Sequence, residues 1–326
     1  MHDGYGREID YLRVSVTDRC NLRCRYCMPK EGLPLVSHGD VLTYDEILRV
    51  VSIMSDLGVT KIKLTGGEPL VRKNLPTLAK ELKNVPGIKS VTLTTNGTLL
   101  SKYMKELSVS GIDAVNVSLD TMNAEVYSYI TITGGGSLDD VLKGIRELRK
   151  YPDIDAKINC VPMGIKGQNP IELLEFAKKD FIHVRFIEMM PVGMGKNFSC
   201  FGEDHLKKKI EERYGRLIPS MKNPGNGPCR YYEPQGFLGM VGFISAVSHR
   251  FCDGCNRLRL TSQGYLKTCL QYEEWIDLKG PLREGASDEE IRDMIVRELK
   301  KKPKGHRFGE RDIDREEGMT MSQIGG

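Results

Sequence analysis

Short runs rich in β-branched residues alternate with helix-patterned segments through the first two-thirds of the chain, and no other feature limits the fold as strongly. The strand candidates are LRVSVTD, KIKLTGGEP, VTLTTNG, AVNVSLD, AKINCVPMG and HVRFIEMMPVG. Residues 43–58 place Ile47, Val50, Met54 and Leu57 on one helical face. Thr43 and Glu46 there form a capping box, and Gly58 is a stop. Residues 137–150 repeat the pattern with Val141, Ile145 and Leu148, and Asn169-Pro170 opens a third helix. Strand–helix repetition at this spacing predicts parallel βαβ units. About six such strands are fewer than the eight of a closed (β/α) barrel. A partial barrel and an open doubly wound sheet fit the pattern equally. In both, reactive residues fall just past the strand C-terminal ends. The polar tails TGGEP, TTNG and SLD lie there.

The pattern changes after residues 221–236, a Pro- and Gly-rich stretch that reads as a linker. Two domains are expected, residues 1–220 and a smaller C-terminal one of residues 221–326. In the second, RLRLTSQGYLKTCL alternates around Gln263-Gly264 as a hairpin would. Residues 287–300 form an amphipathic helix with Ser287 and Glu290 as its capping box. The tail from Lys301 is charged and Gly-rich, and by composition reads as solvated and mobile. A chain of 326 residues that is 40% hydrophobic can bury a substantial core. Its formal net charge of +4 suits an anionic small molecule and is too weak to argue for nucleic acid. No apolar run approaches membrane-span length, and MHDGYGREIDYLRV has no apolar signal core. No membrane partner and a cytoplasmic location are therefore expected.

Nine cysteines cannot all pair internally, and in a reducing compartment clustered cysteines point to metal or catalysis. The first cluster is Cys20, Cys24 and Cys27, directly after the first strand candidate. Three thiolates within eight residues can wrap one [4Fe–4S] cluster and leave one iron open, since four would saturate it. An open iron can chelate the amino and carboxylate groups of S-adenosylmethionine, and one electron from the cluster then breaks a C–S bond. Zinc is the rival, but it prefers four ligands, and no fourth is adjacent. CxxxCxxC with an aromatic before the last Cys resembles the radical S-adenosylmethionine superfamily. Gly66-Gly67-Glu68-Pro69 after the next strand supports it, because a glycine pair allows close backbone approach. Alone, GGEP would be only a turn.

The second cluster is Cys252, Cys255 and, after thirteen intervening residues, Cys269. With His249 these would make a Cys₃His zinc site, and spacing alone favours neither metal. Between the cysteines runs Asn256-Arg257-Leu258-Arg259-Leu260. On a strand, Arg257 and Arg259 share a face, and two guanidiniums beside an open-iron cluster make an anion-binding wall. Two solvated arginines on an exposed strand are the plain alternative.

CxxxCxxC, TGGEP, TTNG, NVSLD, RFIEMMPVG, CxxCNRLRL, KTC and a terminal Gly-Gly occur in that order. Over nearly its whole length the chain resembles the GTP 3′,8-cyclase family, also called molybdenum cofactor biosynthesis protein A. The resemblance implies an α/β fold, an incomplete (β/α)6 TIM-like barrel closed by a smaller C-terminal domain that bears a second [4Fe–4S] cluster. It implies reductive cleavage of S-adenosylmethionine at the first cluster. Hydrogen is then taken from C3′ of GTP, the C3′ radical attacks C8, and reduction of the cyclised radical gives (8S)-3′,8-cyclo-7,8-dihydroguanosine 5′-triphosphate. It also implies a homodimer, a low-potential electron donor, and a separate cyclic pyranopterin monophosphate synthase that receives the product.

Residue by residue, Tyr26, Gly67, Ser118 and Met190 match the family's S-adenosylmethionine contacts. Arg13, Lys63, Thr94, Lys157, Arg257, Leu258 and Arg259 match its GTP contacts. Cys252, Cys255 and Cys269 match ligands whose open iron holds the guanine end. Gly325 and Gly326 resemble a tail that enters the active site. Two positions depart. Lys63 stands where the family usually has Arg, which keeps the charge and loses the bidentate fork. Pro191 stands where an acid is common. Cys160, Cys200 and Cys229 match no ligand and read as small hydrophobes. Lys157 could be an exposed strand residue, Arg13 the partner of a nearby acid, Met190 core, and Ser118 and Thr94 strand-end groups bonding backbone. Two rivals stay open at this point, a radical enzyme that modifies a peptide with one auxiliary cluster, and a zinc-stabilised binding module without catalysis.

Overall fold

The computed structural model describes residues 1–34, 36–132, 136–225, 227–308, 310 and 318–325. The six predicted runs form β1 (Tyr11–Ser15), β2 (Lys61–Thr65), β3 (Ser90–Thr95), β4 (Ala114–Ser118), β5 (Asp155–Cys160) and β6 (Ile182–Ile187). The returning helices are α1 (Tyr44–Asp56), α2 (Leu75–Asn84), α3 (Leu100–Val109), α4 (Ala124–Thr131), α5 (Leu138–Leu148) and α6 (Leu174–Lys179). β1 to β6 are parallel and lie side by side in chain order. A doubly wound sheet reverses its strand order at a switch point. This one does not, so the winding is that of an incomplete TIM-like barrel.

The later strands complete one twelve-stranded sheet. They are β7 (Leu217–Pro219), β8 (Arg230–Pro234), β9 (Val241–Ile244), β10 (Arg257–Leu260), β11 (Tyr265–Lys267) and β12 (Trp275–Asp277). β9 adds parallel to β6, and β10 adds parallel to β1. The C-terminal part thus covers both open edges of the six-stranded barrel. β9 and β10 do not pair with each other, so the cylinder stays open between them. Helices α7 (Glu203–Tyr214), α8 (Lys279–Arg283), α9 (Asp288–Lys300) and α10 (Met321–Ile324) complete the described elements.

Strand alternation sets the layers. Leu12, Val14, Ile62, Leu64, Val91, Leu93, Val115, Val117, Ile158, Val184 and Phe186 face the helices and are buried. With Ile47, Val50 and Met54 of α1 they belong to one continuous core. Each such side chain contributes about 1.5–3 kcal/mol. The opposite faces of the strands carry Arg13, Lys63, Asn116, Lys157 and Arg185, so the barrel interior is polar where a closed barrel packs branched apolar residues. Thr43 and Ser287 make the expected capping boxes with Glu46 and Glu290.

Three expectations change. The stretch read as a linker holds β8, which pairs antiparallel with β9. Asn169 is the N-cap and Pro170 opens the helix as expected, but the Asn169 side chain bonds Glu172 instead of backbone and the first turn is 3-10, Pro170–Leu173, ahead of α6. The tail read as solvated is packed at several of its described residues: Lys302, His306 and Phe308 are buried, as are Ser322 and Ile324. Its buried Lys302 is held by carbonyls of Arg257 and Thr268, partners that composition cannot reveal. Among the described residues, no helix is long and apolar enough to cross a membrane.

Candidate active site

The barrel interior is a cavity of about 650 Å³. Residues two apart on each strand line it, as the period of a strand requires. Around it the fold brings together Cys20, Cys24, Cys27, Tyr26, Gly67, Ser118, Met190, Arg13, Lys63, Thr94, Lys157, Arg257 and Arg259. Leu258 points the other way, into the core. Its contribution to a ligand is therefore limited to its backbone.

The first triad follows β1 on the loop at the strand's C-terminal end. That loop is docked on the loop after β2, where Gly67 N–H donates to Thr17 O (2.7 Å) and Glu68 N–H to Arg19 O (2.8 Å). A Cβ on Gly67 would lie 2.4 Å from Arg19 O. The glycine pair thus serves the approach of two loops, which places its backbone on the cavity wall. Glu68, fully buried, accepts from Leu70 N–H (3.0 Å), Thr95 Oγ1 (2.7 Å) and Asn96 N–H (2.6 Å). Burial still pushes its carboxyl up to about 7. Asn96 in turn donates from Nδ2 to Asn21 Oδ1 (2.9 Å) and to Cys20 Sγ (3.8 Å). Cys20 Sγ also accepts from Leu22 N–H (3.4 Å). Tyr26 donates its hydroxyl proton to Asp120 (2.9 Å), which fastens the middle of the triad to the end of β4. Burial raises Asp120 to about 6.

The donor set suits a cluster. Burial pushes the Cys20 thiol up to about 12. A hydrogen bond with the Cys27 thiol, then burial, raises Cys24. Such thiols keep their protons until a cation takes the thiolate. Among the described residues, no three His, Cys, Asp or Glu side chains converge closely enough to hold a single metal ion. A cubane instead places each thiolate on a different iron.

Below the triad the strand register builds a row of cations. Arg259 of β10 pairs with Arg13 of β1, and Arg13 with Lys63 of β2. Neighbouring strands lie about 4.8 Å apart, so three like charges stand abreast. Burial first, then neighbouring cations, depresses all three. Lys63 has no ion pair among the described residues. Lys157 is paired with Asp155 (2.6 Å). Arg185, which sequence reasoning missed, is held by neutral amides, Asn159 Oδ1 (2.9 and 2.6 Å) and Asn116 Oδ1 (2.9 Å). Neutral partners fix its geometry and leave its charge to face the cavity. The available signal was its spacing, because Arg185 and Ile187 alternate inward on a strand whose other face is apolar. Thr94 accepts from Asn116 Nδ2 (3.4 Å).

The second triad does not line this cavity. It lies behind Arg257, whose guanidinium both lines the cavity and donates to Cys255 Sγ (3.8 Å). Burial raises the Cys255 thiol, but the charges of Arg257 and Lys302 outweigh it and bring it to about 7. Cys252 Sγ accepts from His306 N–H (3.4 Å). His249 is not with the cysteines: its Nδ1 lies 3.6 Å from Glu203 and 3.3 Å from Ser248 Oγ. That arrangement disfavours a Cys₃His site. Cys160 and Cys229 are buried, as expected of small hydrophobes, and Cys200 is partly so. The tail ends on the cation row, where Gly325 O accepts from Arg259 (2.8 Å). Gly326 lies outside the described residues.

Residues 14–179 match the family described as Radical SAM superfamily, and residues 182–308 match Molybdenum Cofactor Synthesis C. A GTP 3′,8-cyclase of Heliobacterium modesticaldum is 45% identical over all of both chains. The GTP 3′,8-cyclase of Thermodesulfovibrio yellowstonii is likewise 45% identical over all of both chains. That of Peptoclostridium acidaminophilum is 44% identical over 99% of this chain and 98% of its own. Among solved structures, Streptococcus suis SuiB bound to S-adenosylmethionine aligns with a TM-score of 0.59 at 18% identity, covering 89% of this chain and 68% of that one. At that identity the likeness is one of fold.

Proposed function

We infer that this chain, which belongs to the GTP 3′,8-cyclase family of radical S-adenosylmethionine enzymes, joins C3′ to C8 of GTP within the barrel cavity. The reaction feeds molybdenum cofactor synthesis. The observation that carries the site assignment is the row Arg259–Arg13–Lys63, which stands in register between two thiol triads.

Cys20, Cys24 and Cys27 would hold the first [4Fe–4S] cluster, with Tyr26, Gly67, Ser118 and Met190 around S-adenosylmethionine. When bound there, the pair supplies a 5′-deoxyadenosyl radical. Arg13, Lys63, Lys157 and Arg185 bind the triphosphate, a polyanion that relieves their mutual repulsion. Thr94 borders the same surface. Arg257, the backbone of Leu258, and Arg259 direct the base toward Cys252, Cys255 and Cys269, which would hold a second [4Fe–4S] cluster. Held at both ends, the ribose has one orientation, and fixed orientation is the main help a ring closure needs. Gly325 closes the cation row from the tail side.

Functionally we divide the chain at residue 220: a barrel that generates the radical, and a C-terminal part, residues 221–326, that positions GTP. The expected product is (8S)-3′,8-cyclo-7,8-dihydroguanosine 5′-triphosphate, passed to a cyclic pyranopterin monophosphate synthase. A low-potential donor supplies one electron for cleavage and a second, with a proton, for reduction of the cyclised radical, and a cytoplasmic homodimer without nucleic-acid or membrane partners is the working assembly. Anaerobic incubation with GTP, S-adenosylmethionine and a reductant, read by mass spectrometry, tests the reading. Formation of 5′-deoxyadenosine with unaltered GTP would refute it.

A further inference from the structure

Arg7 is 245 residues from Cys252 in sequence, and its side chain is only 8% exposed. Its Nη1 donates to Cys252 O (2.8 Å) and Lys304 O (2.8 Å), and its Nη2 to Pro303 O (2.6 Å). Its Nε meets Asp3 (2.5 Å), whose other carboxylate oxygen takes Tyr5 N–H and Arg7 N–H. Asp3 thereby folds the N-terminal turn that aims the guanidinium. All five N–H donors of an Arg radiate in one plane. Here that fork joins the N-terminus, the Cys252 loop and residues 303–304.

Residues 302–306 reach the second triad from the other side. Lys302 is buried and donates to Arg257 O (3.0 Å) and Thr268 O, carbonyls two residues after Cys255 and one before Cys269. Gly305 passes so close to Cys252 that a Cβ there would lie 3.1 Å from Cys252 Cβ. The next N–H, that of His306, donates to Cys252 Sγ. Each arm of the triad is therefore tied to one short segment of the tail, and Arg7 ties that segment to the N-terminus. The segment is polar, and a buried lysine and arginine cost several kcal/mol of desolvation, far more than simple chain packing requires. Of the two, Lys302 lies close enough to Cys255 and Cys269 for its charge to favour their thiolates, and Arg7 holds the Cys252 backbone.

We propose that Arg7 and Lys302 are positioning residues of the second triad, forming a buried clasp that holds Cys252, Cys255 and Cys269 for metal. The inference rests on the reading of that triad as the ligands of a second cluster. Partners that orient metal ligands typically change metal affinity about 10–100-fold when removed.

The test uses the full chain, reconstituted anaerobically, with R7M, R7K, K302M and K302R. Iron, sulfide and the rate of iron loss to a chelator are measured, together with the midpoint potential of each cluster. Wild type is expected to hold about eight irons per chain. R7M and K302M should lose the second cluster about tenfold faster or more while the first is retained. R7K and K302R should recover part of the difference. K302M should also lower the potential of the second cluster only, a change that general loosening would not confine to one site. Wild-type iron content, release rate and potentials in R7M and K302M would overturn the clasp alone. About four irons in wild type, unchanged when Cys252 and Cys255 are replaced by Ala, would overturn the second cluster and the clasp with it. If R7M or K302M is recovered poorly, alkylation of the R7K and wild-type apoproteins decides: faster labelling of Cys252, Cys255 and Cys269 in R7K than in wild type, with Cys160 and Cys229 unchanged, supports the clasp, and equal labelling of the triad in both overturns it.

Discussion

Arg13 and Arg259 sit opposite one another on adjacent parallel strands, and both guanidiniums donate to one carbonyl, that of Gly325. Two buried like charges at that spacing repel, and the shared acceptor partly offsets it. Gly325 can fill this place because its φ is +78°, and because a Cβ would lie 2.8 Å from Thr65 Oγ1 and 2.9 Å from Ser15 Cβ. Gly325→Ala should unseat the tail without unfolding the barrel. We expect product formation to fall about 10–100-fold, the scale of an ångström-sized misplacement, while 5′-deoxyadenosine continues to form. The ratio of the two products measures it, and equal losses of both would contradict the assignment.

Lys63 separates stability from binding. Burial and the charges of Arg185, Arg13 and Lys157 press its ammonium toward the neutral form, and no carboxylate relieves it among the described residues. Lys63→Met removes the repulsion and keeps much of the volume. The free protein should melt about 2–4 °C higher, and GTP should bind about tenfold more weakly, equivalent to about 1.4 kcal/mol. Lys63→Arg should bind GTP at least as well as wild type, since the fork engages two phosphate oxygens. Calorimetric melting and GTP titration provide both numbers. A lower melting temperature in Lys63→Met would show that the cation is already satisfied.

What the sequence made legible was local. β1 to β6, the Thr43 and Ser287 boxes and the hairpin around Gly264 each follow from neighbours a few residues apart. The pairing of Tyr11 with Arg257 does not, because nothing near either residue encodes a partner at the other end of the chain. The same holds for Lys302, a residue of solvated composition that is buried only because two carbonyls meet it. The site was readable where chemistry demanded unusual residues, as in the cysteines and the RLRL pair. Arg185 was less visible, since its anchors Asn116 and Asn159 lie on two other strands. Strand order, in turn, decided between two architectures that periodicity left equal.

His183 should give stability a pH dependence. Burial, then the charge of Lys157, lowers its imidazole to about 4, and Nδ1 accepts from Met240 N–H (3.0 Å) as only a neutral ring can. The unfolded chain binds the proton with an ordinary value near 6.5. Because the folded value is depressed, the contribution is full above about 6.5 and is lost as pH falls toward 4. At pH 5 the loss should be about 1–2 kcal/mol, allowing for partial exposure. His183→Gln, which can still accept from Met240 N–H, should flatten this part of the curve. Urea unfolding at pH 7 and pH 5 tests it, and parallel curves for both proteins would exclude His183 as the source.

Asn96 should tune the first cluster without holding it. Its Nδ2 donates to Cys20 Sγ and Asn21 Oδ1, while its Oδ1 accepts from Thr98 N–H (3.0 Å) and Thr98 Oγ1 (2.7 Å). Asn96→Asp keeps the accepting side and removes the donor. An N–H on sulfur favours the more negative, reduced cluster, so its loss lowers the reduction potential. The 3.8 Å contact is long, and a differential of about 0.5–1 kcal/mol corresponds to about 20–40 mV for one electron. The new carboxylate acts in the same direction. Iron content should stay at the wild-type value, because all three thiols of the first triad remain. Potentiometric titration followed by electron paramagnetic resonance separates these effects: a shift confined to the first cluster supports the tuning role. An unchanged potential with intact iron would mean that Asn96 serves only to fasten the Asn21 turn.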